Sequence, residues 1–308
     1  MISHARQLAR DCSDLDRQQV RGSEADENYR FLLASVLLDG EVLMTRNAKT
    51  VSSLTTLPVK FTRTPLITLR RTAWKMALRE MEWFMSGESK CPKALLPWWE
   101  KQLNLAGKYL FGYPGQYRWS SFYEYDGYGE TGSFDQIAFL LANLKNHPHS
   151  RRLILTAWNP GEMAHICEVN HNQNTPTTCH STMIQFFVRG GRLHAKHYQR
   201  SADLLLGVPH NWIQHWALLM YLARHTGLEV GSMRWDFGDA HIYTDPSHIQ
   251  AVEELFEAVG HPECKAELVY TFSGALDHSG TPLFKAADFL MEGDVPAPVT
   301  SIKPKLFE

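Results

Sequence analysis

The sequence predicts an α+β fold, and three observations carry that expectation. Amphipathic helical runs and alternating strand runs are interspersed without the strand–helix–strand rhythm of a doubly wound sheet. Two strand-like runs flank Gly190-Gly191 within "STMIQFFVRGGRLHAKHYQ", and another follows in "MRWDFGDAHIYTD". No linker, low-complexity tract or internal repeat interrupts the 308 residues. One domain is therefore expected over residues 28–308, preceded by an N-terminal extension over residues 1–27.

The elements follow in chain order. The first 25 residues are charged and read as a loose helix or extension. "NYRFLLASVLLDGEVLM" predicts a helix from Asn28 to Leu38, a turn at Asp39-Gly40, then a strand; "TVSSLTTLPVKF" alternates like a strand. "PLITLRRTAWKMALREMEWFMSG" predicts a helix running from Pro65 to Gly87, with Leu69, Ala73, Met76, Ala77, Glu80, Trp83 and Phe84 on one face. Glu80 is thus an acid on an apolar stripe. From Glu88 to Thr131 the chain is aromatic and glycine-rich, which suits loops forming a wall for a flat ligand. "SFDQIAFLLANLKNHP" predicts a helix stopped by Pro148, and "RRLILTAW" a strand. "HNWIQHWALLMYLARHTG" predicts a helix ending at Gly227, and "SHIQAVEELFEAVG" another. One or two strands and an irregular end are expected from Ala266 onward.

Charge and cysteine usage narrow the function classes. A formal net charge of −2 gives no electrostatic reason to expect duplex nucleic acid. Five cysteines, an odd number without a CxxC pair, fit a reducing compartment better than a disulfide framework. The polar N-terminus does not read as a secretory signal, and no apolar run reaches the ~20 residues of a membrane span. A soluble protein of the cytoplasm, or of a host cytoplasm if viral, is expected.

The stretch "TTCHSTMIQFFV" places Cys179 directly before His180. A lone cysteine is most often a small buried hydrophobe. Here "YQRSAD" sets Arg200 beside Ser201 and Asp203, and "GVPHNW" sets Asn211 after a Gly/Pro turn. A nearby guanidinium would favour thiolate, the nucleophilic form. Cys167, His171, Cys179 and His180 raise the alternative of zinc, but the strong zinc spacings are absent and no metal is expected. Arg46, Arg151, Arg152 and Arg200 lie in separate segments; converging forks would make a phosphate site without a glycine-rich loop. No Walker or GxGxxG motif supports ATP or a dinucleotide.

These residues, in the order R…E…Y…RR…W-N…C-H…Q-R-S-x-D-x-x-x-G-x-P-x-N…G-D-x-H-x-Y, resemble the thymidylate synthase family, which includes the pyrimidine nucleotide hydroxymethylases. The resemblance runs from about Val42 to Asp294, and "HYQRSADLLLGVPHNW" is its most specific block. It implies a mixed β-sheet packed with helices and a sheet-to-sheet homodimer. It implies that Cys179 adds to C6 of a pyrimidine ring. Arg46, Arg200 and Ser201 would hold the nucleotide phosphate, with Arg151 and Arg152 donated by the other subunit, and Gln199 would also bind the substrate. Asp203 and Asn211 would contact the base, and His241 and Tyr243 the sugar. Glu80 would organise water and proton transfer, with Tyr113 near the departing C5 proton. Trp99, Arg70, Asp203 and Gly207 would face the folate, 5,10-methylenetetrahydrofolate being the co-substrate.

Chemistry accounts for these residue types independently. Uracil C5 is a poor nucleophile, and thiolate addition at C6 turns it into an enolate carbon. Charge then grows on O4, which a neutral amide such as Asn211 can meet, whereas an Asp there would suit cytosine. The expected product rests on departures from the synthase pattern. Gln102 stands where synthases carry a second Trp, Ala202 follows "QRS", and His210 replaces a common Phe. The stretch "HICEVNHNQNTPTT" precedes Cys179, and the tail "SIKPKLFE" is polar where synthases have a short apolar one. Hydride transfer to give a methyl group needs water excluded, whereas admitted water gives a hydroxymethyl group. A dUMP 5-hydroxymethylase, of the kind some phages use to modify DNA, is therefore expected. The alternatives are a thymidylate synthase and a non-catalytic relative binding nucleotide or RNA.

Overall fold

Among residues 2–16, 21–45, 48–88, 90–99, 118–123, 131–158, 181–302 and 304, which the computed structural model describes, seven strands share one mixed sheet. These are β1 (Glu41–Met44), β2 (Lys49–Ser53), β3 (Val59–Phe61), β6 (Ile154–Thr156), β7 (Ser181–Arg189), β8 (Arg192–Asp203) and β9 (Glu229–Tyr243). Their order is β1-β2-β9-β8-β7-β6, with β3 also pairing along β9. Only β8 and β9 run parallel among these pairs. A parallel pair needs a crossover, and helix α5 (Val208–Thr226) supplies it. Two small antiparallel pairs stand apart: β4 (Arg118–Tyr123) with β5 (Thr131–Asp135), and β10 (Glu267–Tyr270) with β11 (Phe289–Glu292).

Residue alternation decides which face of the sheet is covered. Along β8, Leu193, Ala195, His197 and Gln199 are buried while Lys196 and Tyr198 are exposed. Along β9, Met233, Trp235 and Phe237 are buried and Arg234 is exposed. A period of two therefore sends one set of side chains into the core and leaves the other open. The β7–β8 hairpin turns through Gly190 and Gly191 at φ 56° and 74°, as two-residue turns with both central residues left-handed require.

Helix α5 is buried on nearly all sides, and its Trp212 packs on Phe61 and Tyr29. It ends at Gly227 with φ 72°, as expected. Helix α1 (Ile2–Asp16) turns Ala5, Ala9 and Cys12 inward and lies along α2 (Glu24–Asp39) and α6 (Pro246–Glu257). Helix α4 (Gln136–Asn146) is capped by Asp135, whose side chain accepts from the amides of Ile137 and Ala138. No helix of the described residues is long and apolar enough to cross a membrane.

Three expected elements are corrected. Helix α2 begins at Glu24 rather than Asn28, because Ser23 and Asp26 form a reciprocal capping box. The strand expected over "TVSSLTTLPVKF" divides into β2 and β3, which pair with different stretches of β9. The helix expected from Pro65 begins only at Trp74, as α3 (Trp74–Ser86). Residues 68–70 spend their backbone groups elsewhere. The Thr68 and Leu69 amides donate to Asp26, and the Leu69 carbonyl accepts from the Thr300 amide. Leu69 is buried, but not on a helix.

Candidate active site

A cavity of about 870 Å³ lies where α3, residues 97–99, the N-terminus of α5 and residues 298–302 with Pro304 meet. That volume is in the range of small-molecule sites. Glu80, Asp203 and Asn211 give it polar groups, while Trp98, Val299 and Ile302 give it apolar surface.

Glu80 is buried on the inward face of α3. Its Oε1 accepts from Trp99 Nε1 at 2.7 Å, and its Oε2 accepts from Gln214 Nε2 on α5. Burial raises its pKa to about 7, against the opposing effect of the two hydrogen bonds, which favour the charged form. Half-ionised near neutrality, such a carboxyl can both give and take a proton. A half-turn of the Gln214 amide would offer an acceptor to the protonated carboxyl, so one side chain can serve both states.

Parallel pairing of β8 and β9 builds a second polar cluster. Ser201 sits opposite Asp239, and Asp203 opposite His241. His241 Nδ1 lies 2.9 Å from Asp239 Oδ1. Burial works against a charged His241, but the hydrogen bond to Asp239 and the charge of Asp203 outweigh it and raise its pKa. Tyr243 places its ring edge-on to His241 at 5.4 Å. Asp203 Oδ1 accepts from the amides of Leu205 and Leu206, fixing the turn into α5. Gln199 is buried, accepting from Trp235 Nε1 and donating to the Ser201 carbonyl. Arg200 lies over the Trp158 ring, and its buried Nε has no hydrogen-bond partner among the described residues.

The structure thus brings Glu80, Trp99, Arg70, Asp203, Gly207 and Asn211 to one cavity. Gln199, Arg200, Ser201, His241 and Tyr243 gather at the adjoining ends of β8 and β9. Arg70 is buried, with Nη1 donating to the Leu205 carbonyl, and Arg71 is an exposed cation at the cavity. Arg151 and Arg152 are exposed on the turn before β6, away from the cavity lining. Arg46, Tyr113 and Cys179 lie outside the described residues, as do Cys167, His171 and His180. Trp98, Gln214 and residues 298–300 had no expected role, and His210 and the tail from Ser301 were expected only as departures from the synthase pattern. Gln214 had a legible signal: it sits three residues after Asn211, on the same helical face.

A sequence model of a family described as Thymidylate synthase matches residues 27–301. The chain belongs to the thymidylate synthase family. The chemistry of the thymidylate synthase family is folate-dependent one-carbon transfer to C5 of a pyrimidine nucleotide, with methylenetetrahydrofolate as co-substrate. Trp98 and the apolar side chains of Val299 and Ile302 suit a flat heterocycle. Arg200, whose buried Nε has no hydrogen-bond partner among the described residues, is not on the lining of that cavity.

Proposed function

We propose that the chain is a deoxyuridylate 5-hydroxymethylase, converting dUMP to 5-hydroxymethyl-dUMP through a transient bond between Cys179 and pyrimidine C6. Methylenetetrahydrofolate, when bound, supplies the carbon. The Cys179 thiolate adds to C6 and makes C5 nucleophilic. The Asn211 amide meets charge developing on O4. Glu80 moves the protons, with Tyr113 near the one that leaves C5. Arg46, Arg200 and Ser201 hold the phosphate side, Gln199 supports the nucleotide site through its bond to the Ser201 carbonyl, His241 and Tyr243 hold the sugar, and Trp99, Arg70, Asp203 and Gly207 the folate side. The observation that carries the reading is buried Glu80, with a pKa near 7, in the same cavity as Asn211 and Asp203.

For the hydroxymethyl product, support comes from the wall that residues 298–302 contribute. Beside its apolar side chains, the exposed Ser301 lines the cavity, and its hydroxyl would give a hydrogen-bond partner to the water that adds to the exocyclic carbon. Gln102, standing where synthases carry a Trp, adds to this. One catalytic domain over residues 28–308 would carry the reaction, since the cavity draws on residues from Arg70 to Pro304. The open sheet face, with Met183 and Tyr198 exposed, supports a sheet-to-sheet homodimer that exchanges Arg151 and Arg152.

Mass spectrometry of the product from dUMP and methylenetetrahydrofolate, run in ¹⁸O-water, tests this. The expected product carries one labelled oxygen. Equal amounts of dihydrofolate and an unlabelled methyl product would overturn it. They would establish thymidylate synthase, the second reading, which the apolar Val299 and Ile302 favour because they exclude water from the same cavity.

A further inference from the structure

His210 stands one residue before Asn211, at the start of α5 and on the cavity lining. Both of its ring nitrogens are used. Nε2 lies 3.1 Å from the Ala73 amide, which can only donate, so Nε2 must be the acceptor. Nδ1 lies 2.9 Å from the Leu206 carbonyl, which can only accept, so Nδ1 must carry the proton. The two bonds together define one neutral tautomer. Burial, which lowers the pKa to about 4, keeps the ring neutral across the working range. A ring with both nitrogens engaged has no free site for shuttling protons.

What the ring joins is informative. Ala73 ends the segment that begins at Thr68 and lines the cavity at Arg70 and Arg71. The C-terminal residues lie along that segment. Val299 and Thr300 amides donate to the Thr68 and Leu69 carbonyls, and Thr300 pairs in parallel with Arg70. Arg70 makes a second tie, through Nη1 to the Leu205 carbonyl. The other side of His210 is aromatic, with the Trp98 ring edge-on at 5.2 Å.

We infer that His210 is a positioning residue: its Nδ1-protonated imidazole pins the segment 68–73, and the C-terminal residues laid along its start, to the start of α5, and so sets the wall against which the folate lies. Taking the wall's ligand as the folate rests on the proposed function.

The test uses the full-length chain as wild type, His210→Phe and His210→Gln. Phenylalanine keeps a ring against Trp98 but deletes both nitrogens. Glutamine places an acceptor near the position of Nε2. Amide hydrogen exchange is read at Ala73 and at residues 299–302, and tryptophan fluorescence gives the affinities for dUMP and for folate separately. In His210→Phe, exchange at both segments is expected to quicken. Folate affinity should fall about tenfold, as for one buried amide left without a partner, while dUMP affinity changes by less than about twofold. His210→Gln should recover most of both losses. Unchanged exchange in His210→Phe would overturn the inference, as would equal weakening of dUMP and folate. If wild type binds neither ligand, the proposed function fails, while the exchange comparison still decides whether His210 holds the wall.

Discussion

The indole of Trp99 and the carboxylate of Glu80 meet through one hydrogen bond of 2.7 Å at the edge of the cavity. The bond favours the ionised carboxylate, while burial favours the neutral acid, and burial dominates, leaving a pKa of about 7. Trp99 itself is anchored edge-on against Trp83 at 5.7 Å. Glu80→Gln, which keeps the shape but cannot exchange a proton, should lower kcat by roughly 10²- to 10⁴-fold. Its dUMP affinity should stay near wild type, as equilibrium titration would show. Wild-type stability should also fall as pH rises. A carboxyl whose pKa is higher folded than unfolded contributes fully below about 4.5 and loses that contribution as pH passes about 7. The loss is on the order of 3 kcal/mol, and urea unfolding of Glu80→Gln between pH 5 and 8 should lack it.

Trp99→Phe removes one donor to the carboxylate and leaves the burial. The Glu80 pKa should therefore move upward from about 7, by on the order of one unit, the equivalent of one charge-assisted bond. The rising limb of the kcat–pH profile should shift to higher pH by that amount. A shift to lower pH would mean that Trp99 acts on Glu80 through exclusion of water rather than through its N–H.

The His241–Asp239 pair gives the opposite arrangement, two groups that hold each other charged. The hydrogen bond from His241 lowers the Asp239 pKa below its usual 3.8, and Asp239 offsets the burial of His241. The aspartate contributes stability above about 3.8 and loses it as pH falls through its lowered value. The histidine contributes below about 6.5 and loses it as pH rises through its raised value. The pair is thus worth most between those limits. Asp239 is partly exposed, so solvent screening keeps the total to about 1 kcal/mol or less. Asp239→Asn should lower the His241 pKa in an NMR titration. It should also destabilise the protein more at pH 6 than at pH 8.

Local patterns in the sequence predicted what local physics governs. The Gly190-Gly191 turn, the Gly227 stop and the alternation along β8 were legible because each depends on residues within a few positions. Glu80 stood out as an acid among apolar neighbours, and its burial follows from the same 3.6-residue period. Residues 66–73 were misread as helix because their backbone partners are remote: Asp26 lies some forty residues before Thr68, and Thr300 more than two hundred after it. His210 was visible as a departure from the family pattern, but its link to Ala73 spans 137 positions, and no local pattern encodes that.

Asp26 is the remote partner whose removal should report most directly on the cavity wall. It is fully buried. Its carboxylate accepts from the Ser23 amide and hydroxyl, from the Thr68 amide and hydroxyl, and from the Leu69 amide. The first pair starts α2, and the others hold the segment on which Val299 and Thr300 lie. Asp26→Asn keeps the volume but replaces one acceptor oxygen with an N–H donor. That donor would face the Ser23 amide and the Ser23 and Thr68 hydroxyls on Oδ2, or the amides of Thr68 and Leu69 on Oδ1. Either orientation therefore opposes at least one backbone amide to a donor, Ser23 on one side or Thr68 and Leu69 on the other. A destabilisation of about 2–4 kcal/mol is expected in urea unfolding, since bonds to a charged acceptor are lost and a buried donor is left opposed. Exchange should quicken at residues 299–302 as well as at Thr68 and Leu69, because the C-terminal segment has those carbonyls as its template. Loss of stability without faster exchange at residues 299–302 would show that the segment docks independently of Asp26.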